Sequence, residues 1–137
     1  QMIKRYLAKI IAKDSEGLQL ISAYCAGAKV KITEIKYLPK NKIFLLSLER
    51  LSKELDNNNL KINSICKFEF VDSVKSKNVN QNNLNLALEL FTIDLLKNEK
   101  NYEINLIFSN NAYITLSTEI IEATLEDQTK IYKWLKF

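Results

Sequence analysis

Over residues 84–118 apolar and polar positions alternate with a period of two, in three runs separated by clusters of polar residues. That pattern predicts three antiparallel strands with one covered face. Within the first run Leu84, Leu86, Leu88 and Leu90 share one parity, whereas Phe91, Ile93 and Leu95 share the other. One extra residue near Leu90 and Phe91 brings both sets to one face, so the run predicts a β-bulge there. The last two runs flank Ser109, Asn110 and Asn111. A two-residue Asn110-Asn111 loop pairs Phe108 with Tyr113 and Leu106 with Thr115, setting an apolar face beside a polar one. A three-residue loop pairs Phe108 with Ala112, Leu106 with Ile114 and Ile104 with Leu116, and every inward position is then apolar. The pattern therefore predicts the longer loop, closed by Asn111 at positive φ, which asparagine tolerates best among non-glycine residues.

The rest of the chain follows the same logic. Residues 6–12 read as a short strand, and Asp14, Ser15 and Glu16 supply a helix cap and a first-turn carboxylate. Leu18, Ile21, Cys25 and Ala28, joined by Tyr24, recur at helical spacing, which predicts a helix from about Ser15 to Ala26 with Leu18, Ile21 and Cys25 buried; Gly27 ends it. A half-exposed strand is expected over residues 29–38, a turn at Pro39, Lys40 and Asn41, and a strand covered on both sides over residues 43–48. Residues 53–59 read as a surface loop, residues 60–74 as a strand with Cys66, Phe68 and Phe70 on one face, and residues 73–83 as a second polar connection. Residues 119–127 satisfy neither period cleanly and are read as extended. Asp127 is then expected to cap a short C-terminal helix whose shared face carries Ile131, Trp134 and Leu135. Together these elements predict one α+β domain spanning residues 1–137. Its core is a curled, mainly antiparallel sheet of six or seven strands, barrel-like or a roll, with an early helix and a short C-terminal one. A pleckstrin-homology-like roll is one arrangement of such strands, though a helix between the first two strands does not suit it.

Composition changes this picture in three ways. The 137 residues include two glycines and one proline, so asparagine, aspartate, serine and lysine must make most turns. The net charge of +4 is spread along the chain, and Arg5 and Arg50 are the only arginines, which disfavours nucleic acid as a partner. With no histidine in the sequence, catalytic pairs and metal sites built on histidine are excluded. The two cysteines, Cys25 and Cys66, lie in apolar patterns and read as buried thiols in a reducing compartment. The apolar N-terminal segment is cut by Lys9 and Lys13, so neither a signal peptide nor a membrane span is expected, and the location reads as cytoplasmic.

Three groupings carry candidate chemistry. Glu119, Glu122, Glu126 and Asp127 form a carboxylate cluster that reads as a solvated edge, because an acid-base pair or a cation site also needs a pocket and further ligands. Lys40, Lys42, Lys75 and Lys77 read as scattered surface lysines; the alternative is that their strand ends meet at one rim, where Tyr37 adds a stacking face for a nucleic-acid base. Trp134, Leu135 and Phe137 form an aromatic and aliphatic terminus, read as a plug for the open end of the sheet or, alternatively, as an anchor for a partner or a membrane surface.

Four short pieces of the chain carry a family resemblance. Ile21-Ser22-Ala23, Tyr37-Leu38-Pro39-Lys40, Ser73-Val74-Lys75-Ser76-Lys77, and Ile121-Glu122-Ala123 with Leu125-Glu126-Asp127 occur in an order that resembles the bacterial family known as domain of unknown function 2948. Similar sequences often carry glycines where this chain has Asn110 and Asn111, and a tryptophan after the apolar run that is missing here. The resemblance implies a cytoplasmic bacterial protein and transfers no activity, cofactor or catalytic residue. The expectation from sequence is a non-enzymatic binding or adaptor domain without a cofactor, with a protein partner or a second copy of itself. A small ligand-binding barrel or enzyme using carboxylate and lysine groups is the alternative, and a weak nucleic-acid binder a further one.

Overall fold

A computed structural model describes residues 7–51, 61–83 and 85–128. Its elements run β1 (Lys9–Ala12), α1 (Ser15–Cys25), β2 (Ala28–Lys31), a 3₁₀ turn (Ile32–Glu34), β3 (Ile35–Leu38), β4 (Ile43–Leu51), β5 (Lys61–Phe68), β6 (Val71–Lys77), β7 (Ala87–Lys97), β8 (Tyr102–Phe108), β9 (Tyr113–Thr118) and β10 (Ala123–Asp127). All ten strands belong to one antiparallel sheet in the order β1-β10-β5-β4-β2-β7-β8-β9-β6, with β3 pairing β4 beside β2. The ladder is open, ending at β1 and β6, and does not close into the expected barrel or roll.

The strand count exceeds six or seven because two expected strands each divide. Residues 29–38 are interrupted by the 3₁₀ turn, which separates the β2 bridge Lys29↔Glu49 from the β3 bridge Ile35↔Leu46. Residues 60–74 break at Glu69 and Phe70, where Phe70 takes φ 59° and is exposed instead of lining the core with Cys66 and Phe68. The supposed polar connection over residues 73–83 supplies most of β6, which pairs with β9. Its polar residues fit an edge strand, where one side of the backbone and much of each face meet water.

The helix forms as its pattern requires. The Asp14 carboxylate accepts from the Gly17 amide at 2.8 Å, and Leu18, Ile21 and Cys25 are buried in the core. Gly27, at φ 85°, ends the turn and donates its amide to the Leu90 carbonyl, so the chain enters β2 beside β7. One apolar cluster joins this helix to the inward residues of the sheet, among them Phe44, Leu46, Phe68, Leu90, Leu106 and Leu116.

Both local predictions in the strand-rich segment hold. The register of β7 against β8 shifts between Leu90 and Thr92, and the extra residue is Phe91, which is 49% exposed. Leu88, Leu90 and Ile93 are buried and Leu95 packs against them, so the bulge unites the two parities, with Phe91 itself turned outward. The last hairpin pairs Leu106 with Ile114 and Ile104 with Leu116, and the Phe108 amide donates to the Ala112 carbonyl. Asn110 joins Asn111 at positive φ (62° and 57°), so the turn has both central residues left-handed, as in type I′, instead of a single left-handed closing residue. In the β3–β4 hairpin the left-handed residue is Lys42, at φ 56°, while Pro39 and Asn41 occupy the turn before it.

Residues 119–127 are extended in their second half, as β10. Asp127 is the last residue of that strand, paired with Ser64 of β5. The expected C-terminal helix with Trp134, Leu135 and Phe137, and the expected surface loop at residues 53–59, lie outside the described residues. Among the described residues no helix is long and apolar enough to cross a membrane.

Candidate functional site

The start of β6 is tied to the β3–β4 hairpin. The Val71 amide donates to the Lys42 carbonyl at 2.8 Å, and the Tyr37 hydroxyl donates to the Val71 carbonyl at 2.9 Å. Lys42 Nζ sits 3.0 Å from Asp72 Oδ1, and that hydrogen bond and charge raise the lysine pKa from its ordinary value. The hairpin thus meets β6 at Val71, through Tyr37 and Lys42, and not at the expected residues 74–77. Lys40 is on the exposed turn, whereas Lys75 and Lys77 lie farther along β6, roughly 10 to 20 Å from Val71 at about 3.3 Å per residue. Tyr37 is half-buried, packed against the core cluster, with its hydroxyl engaged by Val71.

What β6 builds is a linear edge. It is the terminal strand of the sheet, and no other described strand pairs its outer side. Its register, Val74↔Leu116, Lys75↔Thr115, Ser76↔Ile114 and Lys77↔Tyr113, assigns the faces. Leu116 and Ile114 are buried, so Val74 and Ser76 point to the core side, and Lys75 and Lys77 share the outer face. Both lysines are exposed and neither is ion-paired with a described residue; Lys77 lies over the Tyr113 ring at 6.0 Å.

The four clustered carboxylates of the sequence divide among three settings. Glu119 and Glu122 line an open groove of about 670 Å³ with Lys13, Lys97, Tyr102 and Ile120, at the start of α1. Glu126 is exposed on β10, 4.0 Å from Lys9, and Asp127 is buried. Among the described residues no group of three or more carboxylates and thiols could hold a metal ion.

Asp127 belongs to a buried charge cluster that sequence reasoning missed. Arg50 donates from Nε to Asp127 Oδ1 at 2.9 Å and from Nη2 to Oδ2 at 2.6 Å. The Ser64 hydroxyl donates to Oδ1 at 2.6 Å and the Ala8 amide to Oδ2 at 2.7 Å. Arg50 also lies over the Tyr24 ring, 5.2 Å from its centre. Burial by itself raises the Asp127 pKa, but the hydrogen bonds from Arg50, Ser64 and Ala8 outweigh it and hold the carboxyl below its ordinary value. One sequence signal pointed here: Arg50 continues the parity of Phe44, Leu46 and Leu48, the buried side of β4. The cluster ties β4, β5 and β10 to the residue entering β1, and every oxygen of Asp127 is occupied by structural donors.

Cys25 and Cys66 are both free and buried, as their apolar settings predict. Contact with the Cys25 thiol, together with burial, pushes the Cys66 pKa well up, so this thiol is held in its unreactive protonated form.

A family model described as a protein of unknown function, DUF2948, matches residues 8–136. No curated protein and no solved structure matches the chain.

Proposed function

The chain belongs to the DUF2948 family, and as that membership brings no activity with it, we propose from the geometry that the protein is a binding domain that accepts an extended peptide strand along β6. The observation that carries this reading is the free edge itself. β6 is seven residues long, its residues from Asp72 to Lys77 are exposed or half-exposed, and its outer backbone has no partner strand among the described residues. A row of unpaired amides and carbonyls is a template for strand addition.

The opposite edge serves less well. β1 has four residues, and Lys9 is already opposite Glu126. The grooves are open and the strongest charge constellation, Arg50 with Asp127, is closed on itself, which supports binding over catalysis at these sites.

Titrating the ¹⁵N-labelled protein with a neutral peptide of alternating valine and serine tests this reading. Shift changes and slowed amide exchange concentrated in β6 and β9 are expected. Changes confined to the groove beside α1, or no change at millimolar peptide, would refute it.

A further inference from the structure

We infer that the β6 edge selects for acidic strands, taking a peptide in which carboxylate side chains alternate with apolar ones; this rests on the strand-addition reading above. The faces of β6 carry the argument. Lys75 and Lys77 are two residues apart on the outer face, neither is ion-paired with a described residue, and Asp72, the carboxylate of the strand, is held by Lys42. A strand laid beside β6 presents alternate side chains to these two ammonium groups, so carboxylates spaced i and i+2 meet them. The side chain between those carboxylates turns to the core side opposite Ser76, and the next one on that face falls opposite Val74, which packs against the apolar cluster. An apolar residue there extends the buried face.

The same lysines act against a second copy as the occupant. Antiparallel pairing of two β6 strands centred on Lys75 or on Ser76 sets lysine opposite lysine, or Lys77 opposite Ser73, while Asp72, the carboxylate of the strand, is already held by Lys42. Lysine on an exposed edge is a common barrier to indiscriminate edge pairing, and here it also defines which foreign strand is accepted.

The test compares three labelled peptides of the length of β6, alternating valine with glutamate, serine or lysine, by fluorescence polarisation on the full chain. The glutamate peptide is expected to bind about 2- to 30-fold more tightly than the serine peptide, the range two cross-strand ion pairs supply. The difference should shrink as salt rises. In the double variant Lys75→Glu with Lys77→Glu the order should invert in favour of the lysine peptide; both positions are exposed, so folding is expected to be unchanged and circular dichroism checks it. Equal binding of the glutamate and serine peptides overturns charge selection and leaves strand addition standing. Failure of all three peptides to bind overturns both. Dimerisation of the chain through β6 that excludes the peptides, seen by sedimentation, overturns this inference in favour of a second copy.

Discussion

Asp127 shows how far one residue's role depends on its partners. Its carboxylate receives four hydrogen bonds, from Arg50 twice, from Ser64 and from the Ala8 amide, within a region closed to water. Because its folded pKa lies below the unfolded value, the group contributes stability that is fully present above about pH 4 and is lost as pH falls through the folded pKa. Asp127→Asn removes the buried negative charge to which Arg50, Ser64 and the Ala8 amide donate and should cost about 3 to 5 kcal/mol at pH 7. Urea melts of both proteins at pH 7 and pH 3 measure this. The gap should narrow at the lower pH, and an equal gap at both values would show that the ionised form is not what stabilises the fold. Asn110 and Asn111 are the opposite kind of residue. Their left-handed backbone is a local need that asparagine meets at low cost, and the loop made it legible for Asn111 but not for Asn110.

At the scale of the element, α1 and β7 show local pattern and packing in agreement. The helix has eleven residues, too short to be stable alone, so its stability comes from the stripe of Leu18, Ile21 and Cys25 against the sheet. Leu18→Ala should therefore cost about 2 to 5 kcal/mol. Leu20→Ala, at a position 48% exposed on the same helix, should cost far less than that. Denaturant midpoints of the two variants decide it, and similar losses would mean that the stripe is not what anchors the helix. The bulge at Phe91 was legible because a change of parity in an unbroken apolar strand has few other physical solutions. β6 was not legible by the same rule. Its burial alternates weakly, since an edge strand needs only one hydrogen-bonded side, and a run of serine, lysine and valine has the composition of a connection.

For the whole molecule, the sheet brings together segments far apart in the chain. β1 pairs with β10, so Lys9 faces Glu126, and β6 pairs with β9. Loop closure over such spans precedes most of the stabilising contacts, which places folding in the range of milliseconds to seconds. Since one apolar cluster serves α1 and both halves of the sheet, unfolding should be a single transition. Stopped-flow refolding and melts followed by two probes test both statements. Microsecond folding, or transitions that separate, would contradict the shared core.

The division between sequence and tertiary structure follows from the range of the forces involved. Side-chain alternation acts between neighbours, so the sequence by itself determined the register of the β8–β9 hairpin, the bulge in β7, the buried stripe of α1 and the burial of both cysteines. It also placed Lys75 and Lys77 among the candidate residues, on the ground of charge. Strand order is a matter of which distant backbones meet, and the alternation of a strand is the same whichever neighbour it has. Only the tertiary structure therefore decided that the ladder is open, that β6 is its edge with both lysines on one face, and that Asp127 belongs with Arg50 inside the protein. A carboxylate beside Glu126 in the chain looks like solvated surface until the fold brings a guanidinium, a hydroxyl and an amide from three other segments within hydrogen-bond distance of it.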